Sequence, residues 1–223
     1  TPPPGMDLAI KAGGVAKSMF ARTMAKQITG MAEKFIAGTD AADALPTLEK
    51  LWKRGLAFSV DLLGEACVSD VEAADYCAKY MDLIENLPDA VNGWPENEEL
   101  ERDHLGPVPR TNVSIKISSL YAKTDPIDTA GSIDGLVEAL RPLLLKAKEK
   151  GVLVNFDMEQ FALKDLTLEL FMRCCEEIDF HAGLAMQAYL RSGDDDAARI
   201  IEWSKRTGRQ VTIRLVKGAY WDY

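Results

Sequence analysis

Asp61, Lys116, Asp157, Gln187 and Arg214 each fall near the end of a short β-rich run. The runs are LAFSVD (56–61), NVSIKIS (112–118), VLVNFD (152–157), GLAMQAY (183–189) and VTIRLVK (211–217). Unpaired buried charge is costly, so polar groups at equivalent places in otherwise apolar runs must meet one another or a ligand. Lys116 and Arg214 are cations that can hold a carboxylate or hydrogen-bond an electron-rich ring. Asp157 between them would partly neutralise both. Gln187 can donate and accept at once, which suits a heterocycle edge. Arg214 runs on into Lys217-Gly218-Ala219-Tyr220-Trp221, where a glycine lets backbone pass close to a ligand and two aromatic faces can cover a ring. The only histidines, His104 and His181, supply neither a hydrolytic triad nor, with the cysteines, a zinc site, so no metal is expected. Redox chemistry on a bound cofactor fits this residue set better. A structural salt-bridge network is the competing reading.

Helical patterns separate the runs at 69–87, 133–151, 163–178 and 192–208. Strand alternating with helix predicts parallel strands with right-handed crossovers. A doubly wound sheet and a (βα)₈ barrel both satisfy this. No Gly-rich fingerprint follows the first run and no Walker loop is present, which weakens the nucleotide-fold readings. In a barrel, the strand ends form the face where active sites are built. Ser192 is expected to cap the last helix, with three Asp residues near its positive end and Gly208 after its final turn. Pro142 should kink the second of these helices or mark a late first turn. Residues 1–54 form an expected helical arm whose Met and Leu stripes read as core. The Pro-, Gly- and acid-rich stretch 85–110 reads as a solvated loop on the face away from the chemistry.

The chain has 223 residues, 47% hydrophobic and 27% charged, with a formal net charge of −9. Acidity disfavours nucleic-acid binding. No apolar run is long enough to span a bilayer, and the N-terminus lacks the apolar core of a secretory signal. Cys67, Cys77, Cys174 and Cys175 read as reduced packing residues of a cytosolic protein, with only one of the adjacent pair facing the core. The sequence opens on Thr1 rather than Met, so a piece of a longer chain is expected.

RLVKGAYWD (214–222), SIKISSLY (114–121), VNFDMEQ (154–160), GLAMQAY (183–189) and DLLGEA (61–66) together resemble the proline dehydrogenase domain of proline utilization A. RLVKGAYW is the specific motif; the others are weaker alone but keep the family's order. The resemblance implies an α/β fold: a distorted (βα)₈ TIM-like barrel with FAD at its C-terminal face, preceded by an α-helical arm. It implies oxidation of L-proline to Δ1-pyrroline-5-carboxylate, the first step of proline catabolism, with electrons passed to a membrane quinone. It also implies a cytoplasmic protein peripheral to the inner membrane. By the same resemblance, Arg214 sits near flavin N5 and Gln187 on the isoalloxazine. Lys217, Gly218 and Ala219 line the cofactor, and Trp221 stacks on the adenine. Lys116 holds the proline carboxylate, Tyr220 covers the proline ring, Asp157 orients the cations, and Asp61 and Glu65 support them.

Met158-Glu159-Gln160 is less acidic than the family's version of that strand end. A barrel of this kind needs eight strands, and five runs are present. The expectation is therefore an arm over 1–54 and strands 1–5 over 55–223, truncated before strand 6. Two other readings stay open: a Schiff-base aldolase with Lys116 or Lys217 as nucleophile, or a non-catalytic scaffold whose charges are structural.

Overall fold

A computed structural model describes residues 14–32, 36–64 and 66–218. The chain divides into two compact units, 1–39 and 40–223. The first contains helix α1 (Gly14–Ala32). The second begins with α2 (Ala41–Trp52), capped by Asp40, whose carboxylate accepts the Asp43 N–H at 2.8 Å. Ala41, Ala44, Leu48 and Trp52 form its buried stripe at helical spacing.

Five parallel strands follow in one sheet: β1 (Val60–Asp61), β4 (Asn112–Ile115), β5 (Leu153–Phe156), β6 (His181–Gln187) and β7 (Val211–Val216). They lie side by side in chain order, and the sheet does not close. The crossovers are α3 (Asp70–Val91), α5 (Thr129–Lys150), α6 (Lys164–Glu177) and α7 (Gly193–Thr207). This is the sequential parallel β/α arrangement of a TIM-like barrel. The first run is strand only at its last two residues, and the run at 112–118 leaves the sheet at Lys116 for a 3₁₀ turn, Ile117–Ser119.

The two faces of the sheet differ. Side chains alternate along a strand. Val113, Ile115, Val154, Phe156, Ala182, Leu184 and Met186 alternate onto one face and join the helices in the buried core. Ser114, Asn155, Gly183 and Ala185 occupy the other. The strands are thus apolar on their helix side and, apart from Leu153 at the start of β5, polar or small at these inner positions, rather than apolar throughout.

Local signals mark the helix ends. Ser69 accepts the Glu72 N–H at 3.2 Å while Glu72 accepts the Val68 N–H at 2.8 Å, a reciprocal cap. Asp128 caps α5 a turn earlier than expected, and the helix ends at Gly151 in the left-handed region (φ 67°). Pro142 lies inside α5 without ending it. Ser192 holds the N-cap position of α7, its carbonyl accepting the Asp196 N–H at 2.9 Å, but its side chain makes no capping bond; the hydroxyl donates to Asp196 at 3.0 Å.

The segment 85–110 is not one solvated loop. Leu87 and Val91 are fully buried, so α3 continues through Pro88 to Val91. A short helix α4 (Glu98–Glu101) and a two-stranded ribbon, β2 (Arg102–Asp103) with β3 (Gly106–Pro107), follow. Arg110 ties this segment down, donating to the Trp94 carbonyl at 2.9 Å and pairing with Glu101.

Cys174 and Cys175 are both buried, because α6 packs between α5 and α7 as well as on the sheet and so has a wide buried arc. Burial raises both thiols, Cys175 to about 12. The four cysteines are free.

Candidate active site

Period two carries the site. Lys116 follows β4 two residues after Ser114, and Asp157 follows β5 two residues after Asn155. All four therefore share the inner face at its C-terminal edge. Ser114 donates to Asp157 Oδ1 at 2.7 Å. The Asn155 amide donates to Ser114 Oγ at 3.0 Å and to Asp157 Oδ1 at 3.2 Å. Gly183 lies beside Asn155 in register, and a Cβ there would stand 2.9 Å from Asn155 Oδ1. Its lack of a side chain admits the asparagine.

Arg214 arrives from β7, two strands away. β6 lies between, and its inner-face residues are Gly183 and Ala185, the latter paired in register with Arg214. The guanidinium passes over this low surface, ion-pairs with Asp157 Oδ1 and donates to Ser114 Oγ at 3.2 Å. Lys116 Nζ ion-pairs with Asp61, lies 3.8 Å from Asp157 Oδ2, and donates to the Leu62 carbonyl at 3.3 Å. Asp157, 14% exposed, is thus the shared acceptor between two cations. Arg214 keeps 44% of its side chain exposed, so donor capacity remains for a ligand.

The Lys116 backbone N–H donates to the buried Tyr80 hydroxyl at 3.1 Å. Burial pushes that phenol up to about 12. Tyr80→Phe leaves the Lys116 N–H without this acceptor and is expected to lower stability by about 1–2 kcal/mol; urea denaturation measures it, and an unchanged midpoint would contradict the bond.

Gln187 ends β6 and is 8% exposed. Its amide nitrogen donates to the Glu159 carbonyl at 3.2 Å, while Oε1 is buried without a partner. Beyond β7, Lys217 is exposed and Gly218 takes φ +87°. A Cβ on Gly218 would overlap the Tyr189 ring. Ala219, Tyr220, Trp221 and Glu65 lie outside the described residues.

The structure brings together Asp61, Lys116, Asp157 and Arg214, and sets Gln187 at the neighbouring strand end. Ser114 and Asn155 belong to the same network, and Glu159 is bonded to Gln187; all three escape a reading of strand ends alone. Counting back by two from Lys116 and Asp157 finds the first two. A flat heterocycle fits what is present: an orphaned buried acceptor at Gln187 and an exposed guanidinium face at Arg214.

A parallel β/α sheet with paired charges at its C-terminal edge defines a site of the TIM-barrel class. The sequence profile of the proline dehydrogenase family matches residues 44–223, and the chain belongs to that family. It is 31% identical over 196 residues to the bifunctional protein PutA of Klebsiella aerogenes, covering 86% of this chain and 14% of that protein. It is 30% identical over 196 residues to a proline dehydrogenase of Deinococcus radiodurans, covering 87% of this chain and 54% of that protein. A crystal structure of proline utilization A from Bdellovibrio bacteriovorus, inactivated by N-propargylglycine, matches with a TM-score of 0.86 at 41% identity, over 92% of this chain and 22% of that one. The chain therefore spans a minor part of the PutA proteins and about half of the proline dehydrogenase.

Proposed function

We propose that this chain carries the first five strands of a site that oxidises L-proline to Δ1-pyrroline-5-carboxylate with FAD. The observation that supports it most directly is the convergence of Lys116, Asp157 and Arg214 on one face of the sheet, in a chain of this family. FAD held there would supply the oxidant, taking a hydride from proline C5 while the ring nitrogen gives up a proton to solvent to leave the cyclic imine, and its electrons would go on to a quinone.

The protein's part is positioning and charge. Lys116 anchors the proline carboxylate, fixing one end of a very small substrate. Asp61 and Asp157 hold the Lys116 ammonium in place. Arg214 offers its remaining donors where negative charge develops on the reduced cofactor, and Asp157 with Ser114 fixes its direction. Gln187 and the backbone at Lys217 and Gly218 border the cofactor. Ala219 lines it, Tyr220 covers the proline ring and Trp221 stacks on the adenine; these three roles rest on the resemblance alone. Among the described residues no helix is long and apolar enough to cross a membrane.

A Schiff-base lysine is activated by an apolar pocket or a second cation. Lys116 has carboxylates as its nearest charged partners and Lys217 is exposed, so neither lysine favours that reading.

The full-length protein supplied with L-proline and a soluble quinone should yield a product two hydrogens lighter, seen by mass spectrometry. N-propargylglycine, which inactivates the Bdellovibrio protein, should abolish turnover irreversibly. Proline recovered unchanged would overturn the proposal. Gly218→Ala places a side chain at positive φ against Tyr189 and is expected to weaken flavin retention about tenfold. Equilibrium dialysis reads it, and unchanged affinity would remove Gly218 from the cofactor border.

A further inference from the structure

Glu159 has no role in the chemistry just described, yet it connects the loops after three strands. Its carboxylate takes the Ser118 backbone N–H at 3.0 Å and the Ser118 hydroxyl, just beyond β4. Its own carbonyl, beyond β5, takes the Gln187 amide at the end of β6. Ser118 is tied in turn to the loop after β1, its carbonyl accepting the Cys67 N–H at 3.0 Å and the Cys67 thiol at 3.3 Å. Ser118 is itself buried.

The Glu159 backbone carbonyl fixes which way the Gln187 amide points, and the Glu159 carboxylate, clamped to Ser118, fixes where the segment carrying that carbonyl lies. Because the nitrogen is held by the Glu159 carbonyl, the oxygen is the end left over, buried and unpartnered. A glutamine free to rotate presents donor or acceptor as the ligand requires. One held in this way presents an acceptor only, and a buried acceptor needs an N–H or O–H from its ligand.

We infer that Glu159 is a positioning residue that commits Gln187 to accepting a hydrogen bond from the cofactor. The inference rests on the flavin reading above. The oxidised isoalloxazine has one ring N–H, at N3, and that group is the partner assigned here. A carbonyl oxygen facing N3 stabilises the protonated ring and opposes its anion, so the bound flavin should lose this proton at higher pH than free flavin. Removing the Glu159 carboxylate leaves its carbonyl in place but unclamps the segment from Ser118; as the carbonyl shifts away, the amide is released, turns its nitrogen inward, stabilises the anion and reverses the shift.

The test is a visible-absorbance pH titration of the oxidised flavin in the full-length holoprotein. Wild type is expected to titrate above free flavin. Glu159→Ala is expected to titrate about one unit or more below wild type. Glu159→Gln keeps the size and one acceptor for Ser118, and should fall between; it serves alone if the alanine variant does not fold. A purely structural role for Glu159 lowers stability without moving this titration. A Glu159 variant that titrates as wild type does, or a wild-type flavin that titrates with free flavin, overturns this inference and leaves the flavin reading intact. A wild-type protein that takes up no flavin overturns both.

Discussion

Arg214→Met is expected to slow flavin reduction by L-proline about 10²–10³-fold, the usual cost of removing one donor aimed at developing negative charge. The side chain is 44% exposed on β7, and Asp157 keeps Ser114, Asn155 and Lys116 as partners once the guanidinium is gone. Stability should therefore change by less than about 1 kcal/mol. The combination is diagnostic. A network that only holds the sheet together predicts the reverse, with stability lost and reduction kept. Stopped-flow reduction and thermal denaturation of the same preparation separate the two, and a variant with wild-type reduction kinetics would remove Arg214 from the mechanism.

Lys164→Met is expected to cost about 3–5 kcal/mol of stability, the range for breaking one side of a buried ion pair. The Lys164 side chain is 7% exposed and its Nζ lies 2.8 and 2.9 Å from the two oxygens of Asp196, itself 14% exposed. Asp165, largely exposed, adds a contact but no buried partner. The pair joins the starts of α6 and α7, and Asp196 also accepts from Ser192, so it steadies the loop leading from Gln187 into α7. Without Lys164, Asp196 is left as a nearly buried carboxylate with one hydroxyl for company. Burial opposes the Lys164 charge, but the Asp165 and Asp196 hydrogen bonds outweigh it and raise the pKa. A raised lysine contributes fully below its unfolded pKa and loses that contribution as pH rises through the folded one. On the lysine side the clamp is therefore intact at neutral pH and is lost in strong base. Combining Lys164→Met with Asp196→Leu should recover most of the loss. A single variant within about 1 kcal/mol of wild type in urea would show that the pair holds nothing.

The main lines of the fold were readable because each strand run is short, bounded and followed by a helical stretch with its own caps. The charged ends were readable because Lys116, Asp157 and Arg214 are conspicuous in apolar surroundings. Ser114 and Asn155 were not, since small polar residues inside a β-rich run look like ordinary strand composition until period two is applied. Glu159 escaped because it acts through a backbone carbonyl and a neighbouring serine, and no spacing rule encodes either. The stretch 85–110 misled because its Pro, Gly and acidic residues signal a loop locally, while burial of Leu87 and Val91 continues the helix. Ser192 misled in another way: it stands at the N-cap position, but its hydroxyl donates to Asp196 and accepts no N–H from the helix end.

An anaerobic visible spectrum of the full-length protein, recorded before and after L-proline is added, tests the proposed oxidation most directly. The protein should show an oxidised flavin spectrum that bleaches on proline and recovers when a quinone is supplied. A flavin that ignores proline, or a protein without flavin, would contradict it and return Lys116, Asp157 and Arg214 to a purely structural role.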